Sequence, residues 1–451
     1  MKTRGIRAFT MLLCALLIIG LLSACAGNGN GKGDNDTSPS GTAEEKTSET
    51  KDVTLTVISG NLQDTVTQTN AYIEAFTKKY PHIKIELETL PGGTEGDNIT
   101  KTRLATGDMA DVFFYNSGSL MLALNPEKNL LDLTNEPFME NVMDSFKATV
   151  TQNGKVYGAP FSSTGVGGWF YNKKIYADLG LKVPTTWAAL MDNNEKIKAA
   201  GITPVIGSFK DTWTAQMIFL SDYYNVQAQV PTFGEDFTAH KVTIAGTPAI
   251  LRSFEKMQEV HEKGYWNKDV LATTYDAALK MLAEGKGAHY PMLSLATTAL
   301  SQNYPDEIDN IGFFAQPGDD ASKNGITVWM PSAAYIYKES KHIEEAKLLV
   351  SFIASVEGTE AIGSVSDPNG PYLIKGATIP DSVPQLVKDM LPYFESGKNA
   401  PALEFSSPIK GPNLEQITVE VGSGIKDAKK GAESYDKDVE KQAKQLGLEG
   451  W

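Results

Sequence analysis

Val53, Leu55 and Val57 alternate with polar residues, so "VTLTVIS" predicts a strand. Ile73, Phe76 and Tyr80 then recur at helical spacing, which predicts a helix over Asp64–Tyr80 ended by Pro81. Ile83, Ile85 and Leu87 alternate again. A further helix is predicted around Asn98–Thr106, closed by Gly107, and "DVFFY" (Asp111–Tyr115) reads as a short apolar strand. This βαβαβ order predicts a parallel sheet covered by helices. In such sheets ligands sit beyond the carboxyl ends of the strands. The loops there are Ser59–Asp64, Leu90–Asp97 and Asn116–Ser119. The middle of the chain is mostly helical in pattern and rich in aromatics. Later, a strand over Ala333–Tyr337 precedes an amphipathic helix marked by Ile343, Ala346, Val350 and Ile353. The body from Val53 onward exceeds one ordinary domain, so two are expected.

The start of the chain follows a different pattern. Lys2, Arg4 and Arg7 are followed by an apolar run, Ala8–Leu22, that is shorter than the ~20 residues needed to span a bilayer. A basic start, a short apolar middle and a small-residue exit predict a secretory signal peptide over 1–24. The rival is an uncleaved anchor. The exit, Leu22-Ser23-Ala24-Cys25, resembles a bacterial lipobox. That resemblance implies cleavage before Cys25 and a diacylglyceryl group on its sulfur. Two acyl chains give firm anchoring where one does not. Ala26–Lys51 has no Val, Ile, Leu, Met or aromatic residue, so 25–52 is expected to be a lipidated cysteine and flexible tether. Such a tether averages roughly 30 Å end to end.

Composition narrows the chemistry. The net charge is −14, three units more acidic once Lys2, Arg4 and Arg7 depart. This opposes nucleic-acid binding, which rests on clustered Lys and Arg. Cys14 leaves with the leader and Cys25 is taken by lipid, so no thiol remains for a disulfide, nucleophile or metal. The five histidines are scattered, with no HExxH and no G-x-S-x-G, and "GNGNGKGD" lacks the features of a phosphate loop. No metal or cofactor is expected.

"NGKVYGAPFSSTGVGGWFYNKKIYADLGLKVPTTWAAL" (Asn153–Leu190) resembles the signature region of family 1 extracellular solute-binding proteins, the maltodextrin-binding-like receptors of carbohydrate ABC transporters. "YIEAFTKKYPHIKIEL", "ATGDMADVFFYNSG", "EKGYWNKDVLATTYDAALKMLAEGKGAHY", "AAYIYKESKHIEEAKLLVSFIASVEGTEAI" and the closing "KQAKQLGLEGW" share the resemblance. It implies an α/β, two-lobe, periplasmic-binding-protein-like fold. Each lobe would be a mainly parallel sheet flanked by helices, with three hinge crossings. Lobe one would be 53–160 plus 322–372, and lobe two 161–321 plus 373–451. The crossings would fall near Pro160–Ser163, Gln316–Asp320 and Asp367–Pro371.

A sugar offers hydroxyls around its ring and C–H groups on its faces, so it is bound by aromatic platforms plus carboxylates, amides and hydroxyls. From lobe one the candidates are Ser59, Asn61, Gln63 and Asp64 after the first strand, Tyr115, Asn116 and Ser117 after "DVFFY", and Trp329. Asp64 reads equally as a helix cap, Tyr115 and Asn116 also as packing and turn residues, and Trp329 also as core. From lobe two the candidates are Ser162 and Ser163 at the first crossing, Trp213, Tyr290 and Lys410. Around Tyr290 the "PMLS" that follows departs from the family's pattern, and "SSPIKGPN" lacks the tryptophan of the maltodextrin receptor. Trp169, Trp187 and Trp266 read as structural, and His289 as a packed strand residue.

The resemblance implies a lipid-anchored, monomeric receptor on the extracellular or periplasmic side of a cell membrane. It would capture a carbohydrate, perform no bond chemistry, and deliver its ligand to ABC permease subunits. The rivals are a receptor for a non-sugar solute and a lipid-anchored glycoside hydrolase, which needs two carboxylates about 5–10 Å apart across a cleft.

Overall fold

The computed structural model describes residues 52–451. The leader, Cys25 and nearly all of the tether lie outside the described residues. Val53–Gly60 pairs in parallel with Ile83–Leu90 along its whole length, and Val57–Ile58 pairs in parallel with Val112–Phe113. The helices Gln63–Lys79 and Gly93–Thr106 make the two crossovers. Gln63–Lys79 carries Asp64 in its first turn and Lys78 and Lys79 in its last, which suits the helix dipole, and it buries Tyr72 and Phe76. The chain leaves it at Tyr80, because Pro81 disfavours helical geometry in the residue before it.

The second helix begins at Gly93, five residues before the predicted Asn98. Glycine makes this possible. A Cβ at Gly96 would lie 1.9 Å from the Pro91 carbonyl oxygen, and Gly93 has φ +70°. Gly107, in the left-handed region, ends the helix.

Two antiparallel strands complete this sheet: Ala333–Ile336 beside Val112–Tyr115, and Gly158–Pro160 beyond it. The second sheet is built around Gly165–Asn172. One edge of that strand pairs antiparallel with Gly287–Leu293. The other edge is divided: Gly165–Gly167 pairs with Thr327–Trp329, and Gly168–Asn172 with Ile311–Ala315, both antiparallel. Thr203–Val205 and Asn399–Pro401 add parallel pairings at the margins.

Both sheets are therefore mixed, where mainly parallel ones were expected. A helical crossover returns the chain parallel to the strand it left, whereas a chain stepping directly between sheets or turning back enters antiparallel. Ile326–Trp329, expected in lobe one, pairs in the second sheet, and the chain steps into the first sheet through Met330–Ser332 rather than Gln316–Asp320. Leu373 and Ile374 likewise pack in the first lobe's core, and Ile379 and Val383 in the second's. Backbone bonds from Met143 N–H to Leu373 O (2.9 Å) and from Lys375 N–H to Asn141 O (2.8 Å) hold this segment to the first lobe. The last passage thus lies beyond Asp367–Pro371. The first leaves Pro160 and enters the second sheet at Gly165.

The first core gathers Leu55, Val57, Phe76, Phe113, Tyr335 and Val350, all buried. The second lobe buries Trp169 and Trp187 outright, while Trp266 packs at its margin. Inside it Lys256 Nζ meets Asp222 Oδ1 at 2.6 Å, both side chains 1% exposed. Lys256 also donates to the Pro317 carbonyl (3.0 Å), and Ser253 Oγ and Asn225 Nδ2 both donate to Asp222 at 2.7 Å. Removing one partner of such a pair strands a buried charge. Lys256→Met should cost about 3–5 kcal/mol in chemical denaturation. The double variant Lys256→Met/Asp222→Leu should recover part of that loss, and equal stability of the single variant and wild type would refute the assignment.

Candidate functional site

The carboxyl ends of the three parallel strands, at Ser59, Leu90 and Tyr115, open on a cavity of about 360 Å³ between the lobes. Its floor is where the chain passes between sheets. Phe161 N–H donates to Ser332 O (2.9 Å), Thr164 N–H to Pro371 O (2.9 Å), and Asn369 N–H to Ser163 Oγ (2.9 Å). Tyr72 Oη, from the first helix, holds the Phe161 carbonyl at 2.8 Å. The volume falls within the roughly 300–1,000 Å³ of small-molecule sites.

Nine candidate residues line this cavity: Ser59, Asp64, Tyr115, Asn116, Ser162, Ser163, Trp213, Trp329 and Lys410. Several are already engaged. Ser59 Oγ shares a hydrogen bond with Thr69 Oγ1 (2.8 Å). Trp329 Nε1–H donates to Glu404 Oε1 (2.6 Å), and Lys410 Nζ to Glu404 Oε2 (2.7 Å). Trp213 is half-buried, its ring 5.4 Å from that of Tyr275.

Four candidates lie elsewhere. Tyr290 is fully buried, its hydroxyl 2.7 Å from Ser208 Oγ, because the strand carrying it is central and that face looks into the core. Ser117 donates to the Pro331 carbonyl (2.9 Å) and so secures the crossing segment. Asn61 is exposed outside the cavity. Gln63 exchanges amide hydrogen bonds with Asn303 of the second lobe (3.1 and 2.9 Å). His289 is a packed strand residue. Tyr176 Oη and the Pro204 carbonyl hold its ring nitrogens, and burial lowers its pKa to about 3.

Sequence reasoning missed Asp97, Gln216, Asn369, Glu404 and Glu415, all of which line the cavity. Asp97 stood at the edge of the expected loop Leu90–Asp97 and lies instead on the helix Gly93–Thr106, which follows that strand end. Gln216 lies three residues after Trp213, on the same short helical turn. Glu404 and Glu415 carry no local signal and are brought in by tertiary packing. Three buried polar atoms lining the cavity have no hydrogen-bond partner among the described residues: Tyr115 Oη, Gln216 Oε1 and Asn369 Oδ1. Burial, reinforced by the neighbouring Asp97 charge, pushes the Tyr115 phenol well above its usual range. Burial also raises Asp97, against the pull of Lys101.

Asp64 is 5% exposed, and burial raises its carboxyl to about 6, although Thr65 N–H donates to it (2.8 Å). A carboxyl with a raised folded-state pKa binds its proton more tightly when folded, so its contribution to stability is lost as pH rises through the folded value. The stability difference between wild type and Asp64→Asn should therefore turn against wild type between pH 4 and 6, by about 2–3 kcal/mol, as read by urea melts. A pH-independent difference would place Asp64 in a wetter setting.

The bacterial extracellular solute-binding protein family model matches residues 59–360. A multiple sugar-binding protein of Streptococcus mutans serotype c is 26% identical over 344 residues, covering 74% of this chain and 78% of that protein. An uncharacterized ABC transporter extracellular-binding protein of Pyrococcus horikoshii is 27% identical over 359 residues, covering 76% and 78%. Among solved structures, a chitin oligosaccharide binding protein superposes with a TM-score of 0.74 at 23% identity, over 87% of this chain and 99% of that one. The solute-binding protein RafE in complex with raffinose gives 0.71 at 22%, over 87% and 99%. These likenesses show the two-lobe periplasmic-binding-protein-like fold, and with two-thirds of its length matched by the family model, the chain belongs to the bacterial extracellular solute-binding proteins, a family of binders rather than enzymes.

Proposed function

We propose that this protein is the sugar-capturing subunit of an ABC importer. The observation that carries the reading is the make-up of the cavity: the indole rings of Trp213 and Trp329 together with unpartnered, buried polar atoms on Tyr115, Gln216 and Asn369. Aromatic faces cover sugar C–H groups, and stranded donors and acceptors are satisfied by hydroxyls. The multiple sugar-binding relative and the raffinose-bound neighbour support the same ligand class. The lobes would close over the ligand about the passages at their floor, so that the closed form is favoured by its differential affinity. Cys25 would carry the lipid, and the following segment would leash the receptor to the outer face of the membrane near its permease. Energy would come from a separate ATPase.

A glycan panel read by thermal shift should find a stabilising oligosaccharide, recovered uncleaved by mass spectrometry. Stabilisation by peptides or polyamines alone would overturn the sugar assignment. Trp213→Ala should weaken binding of the best panel sugar by ~2 kcal/mol or more, roughly 30-fold, with the melting temperature retained. If Trp213 serves the core instead, the variant should lose ~3–5 kcal/mol of stability. Cys25→Ala should abolish metabolic labelling with a fatty acid. A mature-size variant still partitioning into detergent would refute lipidation at this residue.

A further inference from the structure

We propose, building on the sugar reading, that the cleft selects its ligand by charge: it holds sugars that present hydroxyl or ammonium donors between Asp97 and Glu415, and it rejects sugars bearing a carboxylate. Four carboxylates line the cavity: Asp64, Asp97, Glu404 and Glu415. Among the described residues Lys410 is the one cationic side chain lining it, its ammonium donating to Glu404 at 2.7 Å, and Lys101 stands in the adjoining recess beside Asp97. Among the described residues no arginine lines the cavity, so an anionic sugar would find there no forked donor of the kind that recognises carboxylates.

Unfilled acceptors accompany these carboxylates. Gln216 and Asn369, 6% and 7% exposed, each leave a carbonyl oxygen unpaired, and the Tyr115 hydroxyl, 7% exposed, stands beside Asp97. Among the described residues Glu415 accepts from Thr212 Oγ1 alone (2.7 Å), through Oε2. The carboxylate of Glu415 also stands at the start of the helix Gly93–Thr106, where a Cβ on Gly93 would come within 3.2 Å of both its oxygens. Asp97 from one lobe and Gln216 and Glu415 from the other therefore share one end of the cavity. A donor-rich ligand satisfies them, and a carboxylate adds like charge in a partly desolvated space.

The test uses the mature protein and calorimetric titration at pH 7. The probes are matched di- and trisaccharides of the gluco and galacto series, each as the neutral sugar, its 2-amino form and its C6-uronate. In the series that binds, the amino form should match or exceed the neutral sugar, and the uronate should bind about tenfold more weakly or worse, since like charges set against each other are unfavourable in a binding site. Added salt should narrow the gap by screening. Asp97→Asn/Glu415→Gln should narrow it too. Uronates binding as tightly as neutral sugars in wild type would overturn the inference and leave the sugar reading standing. If the double variant does not fold, the wild-type comparison and its salt dependence decide. If no form in either series binds while a peptide or polyamine does, the sugar reading falls and this inference falls with it.

Discussion

The architecture depends on one strand with a divided edge. Gly165–Asn172 lends the first part of that edge to Thr327–Trp329 and the rest to Ile311–Ala315. Because Thr327–Trp329 pairs only at the beginning of the strand, its chain runs off the end of the sheet and continues as Ala333–Ile336 in the other sheet. The joint between lobes is thus a continuation of β-structure. Gly167 and Gly168 make the arrangement possible. A Cβ on Gly167 would come 2.7 Å from the Trp329 ring, and one on Gly168 2.3 Å from the Phe313 ring. Side chains there would force rings off their positions, a change that commonly costs 1–3 kcal/mol in a packed core. The seat of Trp329 at the cavity edge follows from this backbone.

Buried polarity is handled in two ways. The second lobe encloses a fully partnered ion pair, Lys256–Asp222, in which every charged group is satisfied within the protein. The cavity instead leaves polar atoms stranded on Tyr115, Gln216 and Asn369. An unmet buried donor or acceptor costs roughly 1–3 kcal/mol, so the ion pair is complete as folded, whereas the cavity atoms would gain by meeting a polar ligand.

Local periodicity carried the first lobe into view. The alternation at Val53–Val57 and Ile83–Leu87 and the helical spacing of Ile73, Phe76 and Tyr80 each reflect one buried face, and the helix and strands formed where the pattern placed them. The start of the second helix was missed because Gly93 and Gly96 bear no side chains to register a period. The mixed second sheet was not legible either. Strand direction is set by which edge a distant segment finds, and Ile326–Trp329 looks the same in sequence whichever sheet it joins. In the site, residues at strand ends such as Ser59 and Tyr115 were legible from topology. Tyr290 misled because a buried aromatic on a central strand and a cleft aromatic share one residue type. Glu404 and Glu415 arrive from a segment at least 289 residues beyond the last of these strand ends, Tyr115, and no local pattern announces them.

Trp329, Glu404 and Lys410 form a chain of contacts in which each side chain fixes the next. Its consequence is entropic. A flexible aromatic side chain closing on a ligand surrenders its rotamer freedom at that moment, at a cost of about 0.5–1.5 kcal/mol for each such group. Here the indole is immobilised during folding, with its Nε1–H already occupied and its ring edge pinned to one lobe. A solute that met this ring, as proposed, would find a surface whose disorder had been removed in advance, so more of the contact energy would remain as affinity, and the orientation of that contact would be set before any solute arrived.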